Sequence, residues 1–80
     1  MEVILNSRWR VVDDPLQWIL QVRRATARKN DTGYQNRSYC VSRTGLLRCI
    51  REYCDPSNEE DGPIDPEALA ILEKLPELHK

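Results

Sequence analysis

The residues of this chain with the widest chemical repertoire are Cys40, Cys49, Cys54 and His79. A Cys/Cys/Cys/His shell has the right ligand types for tetrahedral zinc. The spacing argues against it: no C-x-x-C pair occurs, and Cys49 and Cys54, five apart on a predicted helix, point more than about 90° apart. Three irregularly spaced cysteines do not suit a secreted disulfide framework either, so free and mostly buried thiols are expected. Cysteine catalysis would need an imidazole held against the sulfur, and no cysteine has a neighbouring histidine in the sequence. His79 lies next to the last residue, a poor place for a general base.

Paired carboxylates occur at Asp13-Asp14 and Glu59-Glu60-Asp61, both in predicted turns or linkers. A general acid needs burial to raise its pKa, so these read as turn formers and solvated charge. G-x-G-x-x-G, G-K-[ST], H-E-x-x-H and G-x-S-x-G are all missing from the sequence. A non-enzymatic protein with no cofactor and no metal is expected, and the chemistry left to it is binding.

Charge supports that direction. The net value of −1 conceals a split: residues 1–54 hold ten Lys/Arg against five Asp/Glu, and residues 55–80 hold two against eight. A basic half points to a polyanionic partner, and an acidic end points to a separate role or to attraction between the halves.

The elements that would position these charges can be read from alternation. RWRVV (8–12) and LQWILQVR (16–23) alternate polar and apolar residues around Asp13-Asp14-Pro15, a turn former followed by a proline, and so predict a β-hairpin. With Val12 to Pro15 as the connection, Val11 would face Leu16 and Trp9 would face Trp18, putting both indoles side by side on one face. The other face would set Arg10 across from Gln17 and Arg8 across from Ile19, with Gln21 and Arg23 beyond. Residues 25–33 read as a loop carrying Arg28 and Lys29.

YQNRSYCV (34–41) predicts a third strand. Burying an unpaired guanidinium is costly, so Ser38 and Cys40 should point inward while Arg37, Tyr39 and Val41 join the outer face. Ser42 is a fair N-cap for a helix whose stripe of Leu46, Leu47, Ile50, Tyr53 and Cys54 should cover Trp9, Trp18, Leu20 and Val22. After an acidic linker (55–64), Asp65-Pro66-Glu67 begins a second helix running to about Leu75. Its Leu69, Leu72 and Leu75 must dock on the body or on a partner, including a second copy of the chain.

The expectation is a single α+β domain: a three-stranded antiparallel sheet packed on one helix (8–54) and a short C-terminal helix (65–76). No apolar run approaches the ~20 residues that cross a bilayer. The opening MEVILNSRWR lacks a signal-peptide layout, and a soluble, cytoplasmic protein without membrane partners is expected.

The order strand, strand, basic loop, strand, capped helix, with WILQVRR and RSYCVSRTGLL as its local match, resembles the arm-type DNA-binding domain of phage and transposon integrases and the plant ethylene-response DNA-binding domain. The resemblance covers about residues 8–54. It implies a sheet lying in the major groove, DNA rather than RNA as partner, and Arg8, Arg10, Gln21, Arg23 and Arg37 as contacts. Asp13 and Asp14 in the hairpin turn and the acidic end depart from that pattern. The chain is also similar in size and style to small phage accessory proteins, including anti-CRISPR inhibitors of host defence. The full expected nucleic-acid surface is Arg8, Arg10, Gln17, Gln21, Arg23, Arg28, Lys29, Arg37 and Tyr39. The competing readings are an ordinary solvated sheet face and a protein-interaction module.

Overall fold

The computed structural model describes residues 1–24, 33–54 and 62–79. These residues form a four-stranded antiparallel sheet in the order β1 (Glu2–Ile4), β2 (Trp9–Asp13), β3 (Trp18–Arg23), β4 (Tyr34–Cys40). Two helices follow, α1 (Arg43–Tyr53) and α2 (Pro66–Glu73). The α+β class is as expected, but the sheet has four strands and not three.

The extra strand β1 is three residues long, too short to show alternation. It pairs with β2 through Val3–Val11, and Asn6 makes the turn: its Oδ1 accepts from the Arg8 and Trp9 amides at 2.9 and 2.8 Å. That side-chain mimicry of a backbone turn is what favours Asn at such positions.

The β2–β3 register also differs from expectation. Trp9 pairs with Val22, Val11 with Leu20 and Asp13 with Trp18. The connection is therefore Asp14 to Gln17, and Leu16 sits in water at its tip. Asp14 decides this, since its Oδ1 accepts from the amides of Leu16 and Gln17 at 2.8 and 2.9 Å while its own N–H donates to the Gln17 carbonyl. These bonds hold the Asp14 carboxyl below its usual pKa, the Leu16 amide contributing most. The shift from the expected register is an even number of residues, so Trp9 and Trp18 keep the same face. They stand at opposite ends of it, however, roughly 13 Å apart along the strand at ~3.3 Å per residue.

One face of the sheet is covered. Trp9, Val11, Trp18, Leu20, Val22 and Cys40 meet Leu46, Ile50 and Cys54 of α1 and its C-cap, together with Val3 and Leu5. Ser42 caps α1 by accepting from the Gly45 amide at 3.0 Å, and Asp65 caps α2 by accepting from Glu67. Tyr53, expected inside, is partly exposed and stacks on Trp9.

Helix α2 docks on the body. Leu72 is fully enclosed and Ala68 buried, while Leu69 and Leu75 pack against the same core. Of the leucine stripe weighed as a dimer surface, Leu72 is enclosed in the fold, while Leu69 and Leu75 are only partly buried. The tail then runs beside residues 41–43, with Arg43 N–H donating to the Glu77 carbonyl and His79 N–H to that of Val41. None of the helices in the described residues is long and apolar enough to cross a membrane.

Candidate functional site: the open face of the sheet

The uncovered face is built in three cross-strand rows. At the turn end, Val12, Ile19 and Tyr39 stand abreast. The middle row is Ile4, Arg10, Gln21 and Asn36. At the other end, the Arg23 amide donates to the Arg8 carbonyl at 2.7 Å, which carries the register one step past Trp9–Val22 and sets Arg8 opposite Arg23. Tyr34 pairs with Arg23 on the far side, completing that row.

The middle row is a continuous polar chain. Arg10 Nη1 donates to Glu2 Oε2 at 2.6 Å and its Nε to Gln21 Oε1 at 2.7 Å. Gln21 Nε2 donates to Asn36 Oδ1 at 2.7 Å, and Asn36 Nδ2 to the Tyr39 hydroxyl at 3.2 Å. The Arg10 guanidinium also lies over the Tyr34 ring, 3.8 Å from its centroid. With a carboxylate, an amide and a ring already engaged, Arg10 and Gln21 serve first to rigidify the sheet.

Each expected site residue can now be placed. Arg8 and Arg23 are exposed and adjacent, and Tyr39 is exposed at the turn end. Arg10 and Gln21 lie on the expected face, tied to one another. Gln17 is a correction: it belongs to the β2–β3 turn, bonded to Asp14, and does not face Arg10. Arg37 is a second: its guanidinium lies 4.9 Å from the Tyr53 ring centroid, on the helical side of the sheet. Arg28 and Lys29 fall outside the described residues.

A β-bulge explains Arg37. Leu20 pairs with Ser38 but Gln21 pairs with Asn36, so Arg37 has no place in the β3 ladder and is re-aimed. Below the bulge the alternation changes phase, which brings Asn36 and Tyr34 onto the open face. Strict period-two counting back from Cys40 and Ser38 would turn both inward, so the sequence alone does not mark them. The expected inward pair is there: Cys40 is buried, and Ser38 touches it.

Arg8, Arg23 and Arg24 gather where β3 leaves the sheet, Gly33 closing that connection with a φ of 83° that favours glycine. At the β2–β3 turn end, Asp13 lies on the covered side with Trp18 and pairs with the Met1 ammonium, Glu77 pairs with Arg43, and Leu16, Tyr39, Val41 and Leu78 are exposed.

On the helical side, a cleft of about 430 Å³ between α1 and α2 is lined mainly by Leu47, Ile50, Ile64 and Leu69, with Arg51 and Glu73 at its rim. No cluster of three His, Cys, Asp or Glu side chains suited to a metal occurs among the described residues.

Compared with known proteins, the chain matches no family model, no curated protein and no solved structure.

Proposed function

We propose that this protein is a non-enzymatic nucleic-acid-binding module whose contact surface is the Arg8–Arg23–Tyr34 end of the open sheet face. The observation that carries the reading is the row itself: three adjacent strands set Arg8, Arg23 and Tyr34 in one cross-strand line, with Arg8 and Arg23 exposed and one face of the Tyr34 ring under Arg10. Arginine pairs with phosphate in a bidentate fork, and both guanidinium planes and rings stack on bases. Arg10, held by Glu2 and Gln21, supports the platform and places Tyr34. Duplex DNA, which the integrase-like order of elements implies, is the first ligand to test.

The test is anisotropy titration of a labelled duplex and a matching single strand over a range of salt. Each phosphate neutralised on duplex contributes about −0.9 to the log-log slope. The wild-type chain should bind at low salt with a steep slope, and R8A/R23A should flatten it by roughly 2. Binding that is absent at low salt, or unchanged by the double substitution, overturns the reading.

A second reading, a protein-interaction module of the kind found among phage-encoded inhibitors, is favoured by Leu16, Tyr39, Val41 and Leu78, each more than half exposed. Exposed apolar groups gathered in one region mark interaction surfaces. Y39S/V41S should then abolish partner binding or self-association while leaving nucleic-acid affinity intact.

A further inference from the structure

The sequence sets Cys40 and Cys49 nine residues apart, and the fold brings them together. Cys40 ends β4 and faces inward; Cys49 lies in α1 on the side that meets β4. Their sulfurs are 3.5 Å apart. The Ser38 hydroxyl is 3.1 Å from Cys49 Sγ and 3.8 Å from Cys40 Sγ, close to both. Cys54, the third cysteine, is buried at the end of α1.

From this arrangement we infer that Cys40 and Cys49 are a thiol–disulfide exchange pair, oxidised by low-molecular-weight disulfides to a bond that ties β4 to α1. A disulfide needs its sulfurs at about 2.04 Å, so closure requires an approach of roughly 1.5 Å. Side-chain rotation in two neighbouring elements can share that movement.

The two sulfurs have different parts. Cys49 is partly exposed and Cys40 is buried, so the incoming disulfide reaches Cys49. The Cys49 thiolate attacks one sulfur of the reagent, forming a mixed disulfide and releasing one thiolate. Cys40 sulfur then attacks Cys49 sulfur and expels the second. Two protein thiols are oxidised, one small disulfide is reduced to two thiols, and the protons of Cys40 and Cys49 end on those products. Ser38 can donate its hydroxyl hydrogen to whichever sulfur is the thiolate. Burial and the neighbouring Cys49 push the Cys40 thiol up to about 11, so Cys40 is not the first nucleophile, and it must give up its proton as it attacks the Cys49 sulfur.

The test uses the full chain and excess oxidised glutathione, followed by alkylation under denaturing conditions, intact mass and peptide mapping. Wild type and C54S should each lose two hydrogens, with a Cys40–Cys49 cross-linked peptide. C40S should stop at a glutathione adduct on Cys49, and C49S should not react at Cys40 while folded. The oxidised chain should melt several degrees higher, because the cross-link restricts the unfolded chain. Three alkylatable thiols after treatment, a bond that includes Cys54, or only intermolecular disulfides would overturn the inference. Should a serine variant fail to fold, the wild-type peptide map still decides.

Discussion

Asp13 Oδ2 lies 3.2 Å from His79 Nε2, so the last residue of β2 holds the C-terminal tail. Its other oxygen accepts from the Met1 ammonium at 3.1 Å. The His79 ring is almost enclosed and meets Trp18 edge-on, 4.9 Å between centroids. One carboxylate thus gathers both ends of the chain around the indole at the turn end of the core.

A pH dependence follows. The Met1 ammonium first, and His79 second, hold the Asp13 carboxyl below its ordinary 3.8. A carboxyl with a depressed folded pKa takes up protons more readily when unfolded. Its contribution is therefore complete above the unfolded value and fades as the pH falls through the folded one. D13N should lower stability at neutral pH by no more than about 1 kcal/mol, because the pair is partly solvated. In melts followed by circular dichroism, the wild-type and D13N curves should stand apart above the ordinary 3.8 and draw together as the pH falls below it.

Helix α2 tests the extent of the core. Leu72 is fully enclosed, whereas Ile71, one residue earlier, is 54% exposed. L72A should cost about 2–5 kcal/mol in urea unfolding, a large share of what a domain of this size has. I71A should change stability by less than about 0.5 kcal/mol. Equal effects would mean that α2 does not dock as described.

The polar chain on the open face separates support from contact. R10A removes an ion pair, a hydrogen bond to Gln21 Oε1 and a ring contact together, and should cost about 1–2 kcal/mol of stability. R8A/R23A should cost less than about 1 kcal/mol, yet weaken nucleic-acid binding more than R10A does. Melting curves and salt titrations on the same three proteins check both halves.

Gly45 and Ser42 form a further coupled pair. A Cβ at Gly45 would stand 2.9 Å from Ser42 Oγ, which is itself committed to the Gly45 amide at 3.0 Å. Gly→Ala in a helix ordinarily gains up to about 1 kcal/mol, but G45A alone should gain nothing or destabilise. S42A should cost about 1 kcal/mol as a lost cap. In the S42A background, G45A should become stabilising, and a double-mutant cycle reads the coupling directly.

Much of this architecture is legible in the sequence because its signals are local. Alternation of RWRVV and WILQVR assigns Trp9, Val11, Trp18, Leu20 and Val22 to one face and Arg8, Arg10, Gln21 and Arg23 to the other. Ser42 and Asp65-Pro66 mark the helix starts where they are found. What the chain alone leaves open is anything that period two cannot distinguish. A hairpin register displaced by an even number of residues buries the same side chains, so the choice fell to the Asp14 turn bonds. A bulge at Arg37 reverses the phase of β4 midway, and only the partner strand reveals it. The encounters of Cys40 with Cys49 and of Asp13 with His79 join separate elements, and their distances depend on how sheet, helix and tail pack together.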